Sequence, residues 1–365
     1  MKVLHLLTSG QVGGIESLCR DIGRYSSFDN TFCFISGGGL IYEQMKSMGL
    51  SVFDISDQGP KFSLKKYDTI KKLARQHDLI VVHHGDPYLK LYFCLLKGKT
   101  NAKFVSIIHS CFTPATSIHF QTIKRFIYEK IINASLEKSD AIIYVAKAGK
   151  ISFEKKFGIK KAKSFVVYNG ISVEKIEDGK NNMYKKSAPY NITYIGRLNS
   201  IKGVDNMLRA VSYIKDKYPI KVSIIGDGPD RTRLESLTKD LKIDKITTFY
   251  GQQTKVENYL KKASMFIYPS TCPEVFGISI VEAMAYGIPC ISNNVGGIPE
   301  VITDNMSGLL CYTFDPKELA QNMEKIINCD NSNMIEEGRK VANSFSIINT
   351  VKNLKEVFEK ICEEE

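Results

Sequence analysis

The chain is predicted to be an α/β protein built as two doubly wound parallel-sheet domains in tandem. Three observations predict it. A length of 365 residues suits two domains that each bury their own core. Short β-branched runs alternate with longer amphipathic stretches from one end to the other, as parallel sheets covered by helices require. Glycine-punctuated loops stand where several of those runs give way to helices.

Taken in order, the β-branched runs predict strands near 2–8, 31–36, 50–54, 79–83, 103–108, 140–145 and 165–168 in the first half. In the second half they predict strands near 191–196, 220–226, 246–250, 264–268, 288–292 and 308–311. Helical periodicity falls between them, in IESLCRDIGRYS, LKKYDTIKKLARQ, FQTIKRFIYEKIINASLEK, GVDNMLRAVSYIKDKY and SIVEAMAYG. Residues 172–189, SVEKIEDGKNNMYKKSAP, combine high charge with Gly, Asn, Ser and Pro and lack an apolar period, which predicts a linker. The expected domains are therefore 1–170 and 191–345, joined by 171–190, with a closing helix in 346–365 whose position in space the sequence does not set.

Composition excludes whole classes. With 43% hydrophobic and 24% charged residues, 26 glycines and 11 prolines, the chain is neither disordered, collagen-like nor a disulfide scaffold. No stretch reaches the 18 or so apolar residues that span a bilayer, and MKVLHLLTSG reads as a first strand in place of a signal peptide. Nine scattered cysteines without Cys-x-x-Cys or Cys/His metal spacing point to a reducing, cytoplasmic setting and to no metal site.

Charge is unevenly shared. Residues 1–190 hold 29 Lys and Arg against 16 Asp and Glu, and residues 191–365 hold 21 against 23. The excess is densest over Lys61–Lys103 and Lys147–Lys163. Such patches attract anionic partners, or are merely a solvated lysine-rich face. No helix-turn-helix, zinc-finger or RNP pattern accompanies them, so nucleic acid is not an expected partner, which leaves open an anionic membrane surface or a plain solvated face.

Several segments could carry chemistry. Gly10-Gln-Val-Gly13-Gly14-Ile-Glu16 joins the first strand to a helix, offering backbone N–H groups to an anion or simply making a tight turn. Its spacing is wrong for a dinucleotide fingerprint, and Gly226-Asp-Gly228-Pro-Asp-Arg231 places arginine at the third glycine position, so a nicotinamide cofactor is disfavoured. Arg197 and Lys202 follow a predicted strand at its carboxyl end, where open α/β sheets bind ligands, and suit a diphosphate. Two exposed cations at that spacing are otherwise commonplace. Glu274 lies in a Pro- and Gly-punctuated loop and Glu282 in the Ala/Met helix after it, an arrangement that addresses different parts of one ligand and does not read as a glycosidase acid/base pair. His109 ends the strand Phe104–His109, and His83 and His84 end another, with structural roles open to all three.

The series resembles the retaining family-four glycosyltransferases, glycosyl transferases group 1, of the GT-B fold. It runs Gly196-Arg197-Leu, Lys202-Gly203, Gly226-Asp-Gly-Pro229, Glu274-x7-Glu282 within EVFGISIVEAMAYGIPCIS, Gly296-Gly-Ile-Pro-Glu300 and Ser307-Gly308-Leu-Leu, with Gly13-Gly14-x-Glu16, His109 and Tyr168-Asn169-Gly170 in the first half. The resemblance implies two Rossmann-like domains facing a central cleft, the first binding acceptor and the second the nucleotide sugar. It implies a retaining transfer from a UDP- or GDP-sugar to a hydroxyl of a saccharide or lipid-linked saccharide, in bacterial surface polysaccharide assembly, without an obligatory cofactor. Arg197 and Lys202 would then hold the diphosphate, Glu282 the ribose, and Glu274 with Phe276, Gly277 and Ile278 the transferred sugar. His109 would face that sugar, Gly13 and Gly14 would approach phosphate or acceptor, and the base would lie near Tyr250 to Gln253. The closing helix would cross back to the first domain. Tyr168 departs from the family's usual proline, and Cys111-Phe-Thr-Pro falls where the family varies, which leaves the acceptor open. The same fold also hosts phosphorolysis and sugar-nucleotide epimerisation, which stay open, and non-catalytic binding subunits, against which intact Arg197, Lys202, Glu274 and Glu282 argue.

Overall fold

The computed structural model describes residues 1–112, 122–159, 162–184 and 186–363. Thr113 and Pro114, the start of the helix expected from Phe120, the lysines 160, 161 and 185, and the last two residues lie outside the described residues. The chain divides into two compact units, one made of Met1–Gly170 with Ile347–Glu365 and the other of Ile171–Ser346.

The first unit holds a seven-stranded sheet. Its strands are β1 (Lys2–Leu7), β2 (Asp29–Phe34), β3 (Ser51–Asp54), β4 (Leu79–His84), β5 (Lys103–Ile108), β6 (Ala141–Tyr144) and β7 (Lys163–Val166). They run in the order β3-β2-β1-β4-β5-β6-β7, and every pair is parallel. Helices on both faces explain why the central strands are near-continuous apolar runs: in β6 all four side chains are buried. The exceptions are polar and interior, namely His5, His83 and Ser106. The closing helix, Ile347–Glu363, packs against the helix Gly14–Tyr25, and Phe358 meets Phe28 edge-on at 5.6 Å.

The second unit holds six strands, β8 (Tyr190–Ile195), β9 (Ile220–Ile225), β10 (Thr247–Gly251), β11 (Met265–Tyr268), β12 (Cys290–Asn293) and β13 (Leu309–Cys311). Their order is β10-β9-β8-β11-β12-β13, again all parallel. The amphipathic helix Val204–Ile214 covers one face with Met207, Leu208 and Val211, packing beside Pro316–Asn328. Each sheet therefore has one switch point where the strand order reverses, between β1 and β4 in the first unit and between β8 and β11 in the second.

Two expectations need correction. Within the segment read as a linker, residues Val173–Lys180 form a helix packed on Ile278–Ala285. Its one buried apolar side chain, Ile176, is too little to show a period, and its charges are consumed by tertiary pairs: Asp178 accepts from the Tyr286 hydroxyl and from Lys261, both at 2.7 Å. The basic stretch Lys61–Lys103 is also not uniformly a surface patch. Lys66 is buried and donates to the Ile35 carbonyl at 2.7 Å, while burial lowers the buried Lys90 to about 8.

Candidate active site

The carboxyl ends of β8 and β11 flank the switch point of the second unit, and the loops that leave them carry Lys202 and Glu274. After β8 the chain makes a single 3-10 turn, Ser200–Lys202, ended by Gly203 at φ +65°. A Cβ at Gly203 would lie 2.1 Å from the Pro269 carbonyl oxygen, so only glycine lets the two loops approach this closely. The Thr271 N–H donates to the Ile201 carbonyl at 2.9 Å and zips the same loops together. From below, Gly296 at φ +56° passes against the Glu274 backbone, and the Gly297 N–H donates to the Glu274 carbonyl at 2.7 Å.

The side chains converge accordingly. Nζ of Lys202 stands 2.6 Å from Oε1 of Glu274 and 3.1 Å from the Tyr268 hydroxyl. The Ser270 hydroxyl donates to the same Glu274 oxygen at 2.6 Å. Burial and the facing Glu274 carboxylate hold the Tyr268 phenol well above its ordinary range, so it stays protonated, accepting from Lys202 while its proton faces Glu274. Neither Tyr268 nor Ser270 is visible as a site residue in the sequence. Their only signal is position, at the carboxyl end of a strand and just past it.

Arg197 leaves the same edge of β8 with an exposed side chain, and its carbonyl accepts from the buried Tyr194 hydroxyl at 3.0 Å. Among the described residues its guanidinium has no hydrogen-bond or salt-bridge partner. Glu282 is buried in the helix Ile278–Ala285 and is paired with Lys175, which comes from the segment read as a linker. Phe276 is buried edge-on against Phe345 at 4.9 Å, while Gly277 at φ +82° caps the helix whose first residue is Ile278. Tyr250, next to last in β10, is half-exposed against Tyr259, with Gln253 donating to its carbonyl at 2.9 Å. The glycines of Gly226-Asp-Gly228 serve the protein itself: Cβ atoms there would lie 1.9 and 2.1 Å from the carbonyl oxygens of Gly196 and Leu198. Arg231 pairs with Asp227 and Glu235.

In the first unit, Gly13 precedes the helix Gly14–Tyr25 in extended conformation, and the Glu16 carboxylate folds back over it. A Cβ on Gly13 would meet Oε2 of Glu16 at 2.2 Å, and burial raises the Glu16 carboxyl above its usual range. His109 follows β5 directly, half-buried, with Nε2 2.9 Å from Nδ1 of His83. Among the described residues no group of three His, Cys, Asp or Glu side chains is placed to hold a metal ion.

The family model for glycosyl transferases group 1 matches residues 176–341, and that for glycosyltransferase family 4 matches residues 41–175. The chain belongs to these glycosyltransferases. N-acetyl-alpha-D-glucosaminyl L-malate synthase of Bacillus anthracis is 32% identical over 136 residues, which span 37% of this chain and 35% of that enzyme. An uncharacterized glycosyltransferase of Haemophilus influenzae is 23% identical over 88% of this chain and 89% of its own length. HepE of Anabaena, solved in complex with UDP and glucose, superposes with a TM-score of 0.82 at 19% identity, covering 98% of this chain and 99% of HepE. The glycosyltransferase thus has the GT-B architecture of two parallel-sheet, Rossmann-like units.

Proposed function

We propose that this glycosyltransferase moves a sugar, with retention of anomeric configuration, from a UDP- or GDP-sugar to a hydroxyl of a saccharide or lipid-linked saccharide. The observation that carries the reading is the meeting of Lys202 and Glu274 at the carboxyl edge between β8 and β11, the switch point where a doubly wound sheet takes its ligand. Relatives in structure support the donor class, since HepE is solved in complex with UDP-glucose.

The second unit is assigned to the donor and the first to the acceptor. As the bond between the sugar and the diphosphate breaks, negative charge grows on the leaving diphosphate, and the fork of Arg197 and the ammonium of Lys202 stabilise it selectively in the transition state. Glu282 takes the ribose hydroxyls. Glu274 and the backbone of Phe276, Gly277 and Ile278 hold the transferred sugar, and His109 is assigned to that sugar as well. Gly13 and Gly14 are assigned to phosphate or acceptor. The acceptor hydroxyl attacks the face the diphosphate leaves, and the leaving diphosphate oxygen takes its proton.

Polysaccharide assembly at the inner face of a bacterial membrane is the setting proposed, because the first 190 residues carry 29 Lys and Arg against 16 acidic groups. No described helix is long and apolar enough to cross a membrane. The test is a thermal-shift titration with UDP, GDP, ADP and NAD. A rise with one nucleoside diphosphate that is lost in Lys202→Ala supports the donor site. Stabilisation by NAD alone would overturn it.

A further inference from the structure

The first unit carries a row of hydrogen-bonding groups, with His5 and His83 buried, of which the proposed chemistry uses only the last, His109. His5 lies in β1, His83 in β4 and His109 directly after β5. His5 is opposite Val81, and His83 is opposite Ile107. Each histidine therefore stands two residues closer to the carboxyl edge than the partner of the one before, and the period of two keeps all three on one face of the sheet.

The rings meet nitrogen to nitrogen. Nδ1 of His5 is 3.0 Å from Nε2 of His83, and Nδ1 of His83 is 2.9 Å from Nε2 of His109. Their planes are nearly parallel, tilted by 28° and 18°. At the far end Nε2 of His5 lies 2.9 Å from Oδ1 of Asn30. Cys19 Sγ, 3.4 and 3.7 Å from the two nitrogens of His83, is too evenly placed to lie on the lone-pair axis of either.

The direction of this chain follows from donors and acceptors alone. Nδ2 of Asn30 donates to the Phe28 carbonyl at 3.0 Å, and a carbonyl can only accept, so the amide oxygen is the atom turned to His5. That oxygen also only accepts. His5 therefore carries its proton on Nε2 and leaves Nδ1 bare, His83 must donate from Nε2 and leave its own Nδ1 bare, and His109 must donate from Nε2 in turn. Burial keeps the three rings neutral, holding His5 and His109 at about 4 and His83 well below its ordinary value.

We propose that Asn30, His5 and His83 are positioning residues that hold His109 in its Nε2–H tautomer, so that its Nδ1 meets substrate as a hydrogen-bond acceptor. The inference rests on the reading of His109 as the residue facing the transferred sugar. It adds a rule of specificity: the sugar position at His109 must carry a hydrogen-bond donor, a free hydroxyl or an N–H, and a carboxylate or keto oxygen there is rejected, because two acceptors cannot pair.

Long-range proton–nitrogen correlation on the full-length protein labelled with nitrogen-15 histidine tests it near neutral pH. His109 is expected to show an unprotonated Nδ1 and a protonated Nε2; a protonated Nδ1 overturns the proposal whatever the activity. His83→Phe keeps the ring but offers neither donor nor acceptor, and should mix the His109 tautomers and lower kcat/KM about tenfold. His83→Gln, with one donor and one acceptor, should recover most of both. Equal behaviour of the Phe and Gln variants in the spectrum and the rate would overturn the positioning role. The expected tautomer in a protein that transfers no sugar from any nucleotide donor would fall on the functional reading alone and leave the relay standing.

Discussion

The Lys202 ammonium lies 2.6 Å from Oε1 of Glu274 and joins the loop after β8 to the loop after β11. Both side chains are mostly buried, so this is a designed contact of the switch point and not a surface ion pair of the weak kind. Lys202→Ala is expected to lower kcat by about 10² to 10³, the loss typical of one preorganised charge-stabilising group. Steady-state kinetics with the donor identified by thermal shift checks it, and near-normal turnover would remove Lys202 from the mechanism.

Glu282 is held by Lys175 in the helix Ile278–Ala285. If its carboxylate takes the ribose hydroxyls, Glu282→Ala should weaken the nucleoside diphosphate about 10- to 100-fold by calorimetry, the worth of hydrogen bonds to a charged group. An unchanged affinity would assign Glu282 to the fold alone.

Gly203 is required by shape. At φ +65°, with a Cβ position 2.1 Å from the Pro269 carbonyl oxygen, Gly203→Ala must strain the backbone and part the two loops. A loss of at least about 2 kcal/mol is expected, read as faster amide exchange in peptides from the second unit. Exchange unchanged from the parent protein would show that the loops part freely.

The histidine row predicts an acid-sensitive first unit. His5 and His109 titrate at about 4 when folded and near 6.5 when unfolded, so between these values the unfolded chain binds more protons. Their contribution is complete above pH about 6.5 and is lost as pH falls toward 4, on the order of 3 kcal/mol per histidine. Amide exchange should therefore quicken with acid in peptides from residues 1–112 more than in those from 186–346, and His5→Phe should flatten the difference. Equal acid sensitivity in both units would contradict the burial of these rings.

The sheet framework was legible in the sequence because strand runs buried on both faces cannot hide: AIIY and MFIY announce β6 and β11 by composition alone. Arg197, Lys202, Glu274 and Glu282 stood out through glycine punctuation and charge in an apolar setting, and the family series ordered them. Other groups carried no such mark. The helix Val173–Lys180 has one buried apolar residue, and its charges look like those of a linker until Asp178 meets Lys261 and Tyr286. Tyr268, Ser270 and Lys175 are ordinary residues until the loops and helices that carry them are brought against Glu274 and Glu282.

Sequence periodicity thus determined which segments are strands and that the chain is two parallel-sheet units, since alternation and burial are properties of neighbours along the chain. Only the tertiary structure decided which strands lie side by side. The order β3-β2-β1-β4-β5 brings His5, His83 and His109 into one hydrogen-bonded row, and the order β9-β8-β11 brings Lys202 to Glu274. Hydrogen bonds act over about 3 Å, and residues 26 to 78 apart along the chain reach that distance only through the pairing of strands.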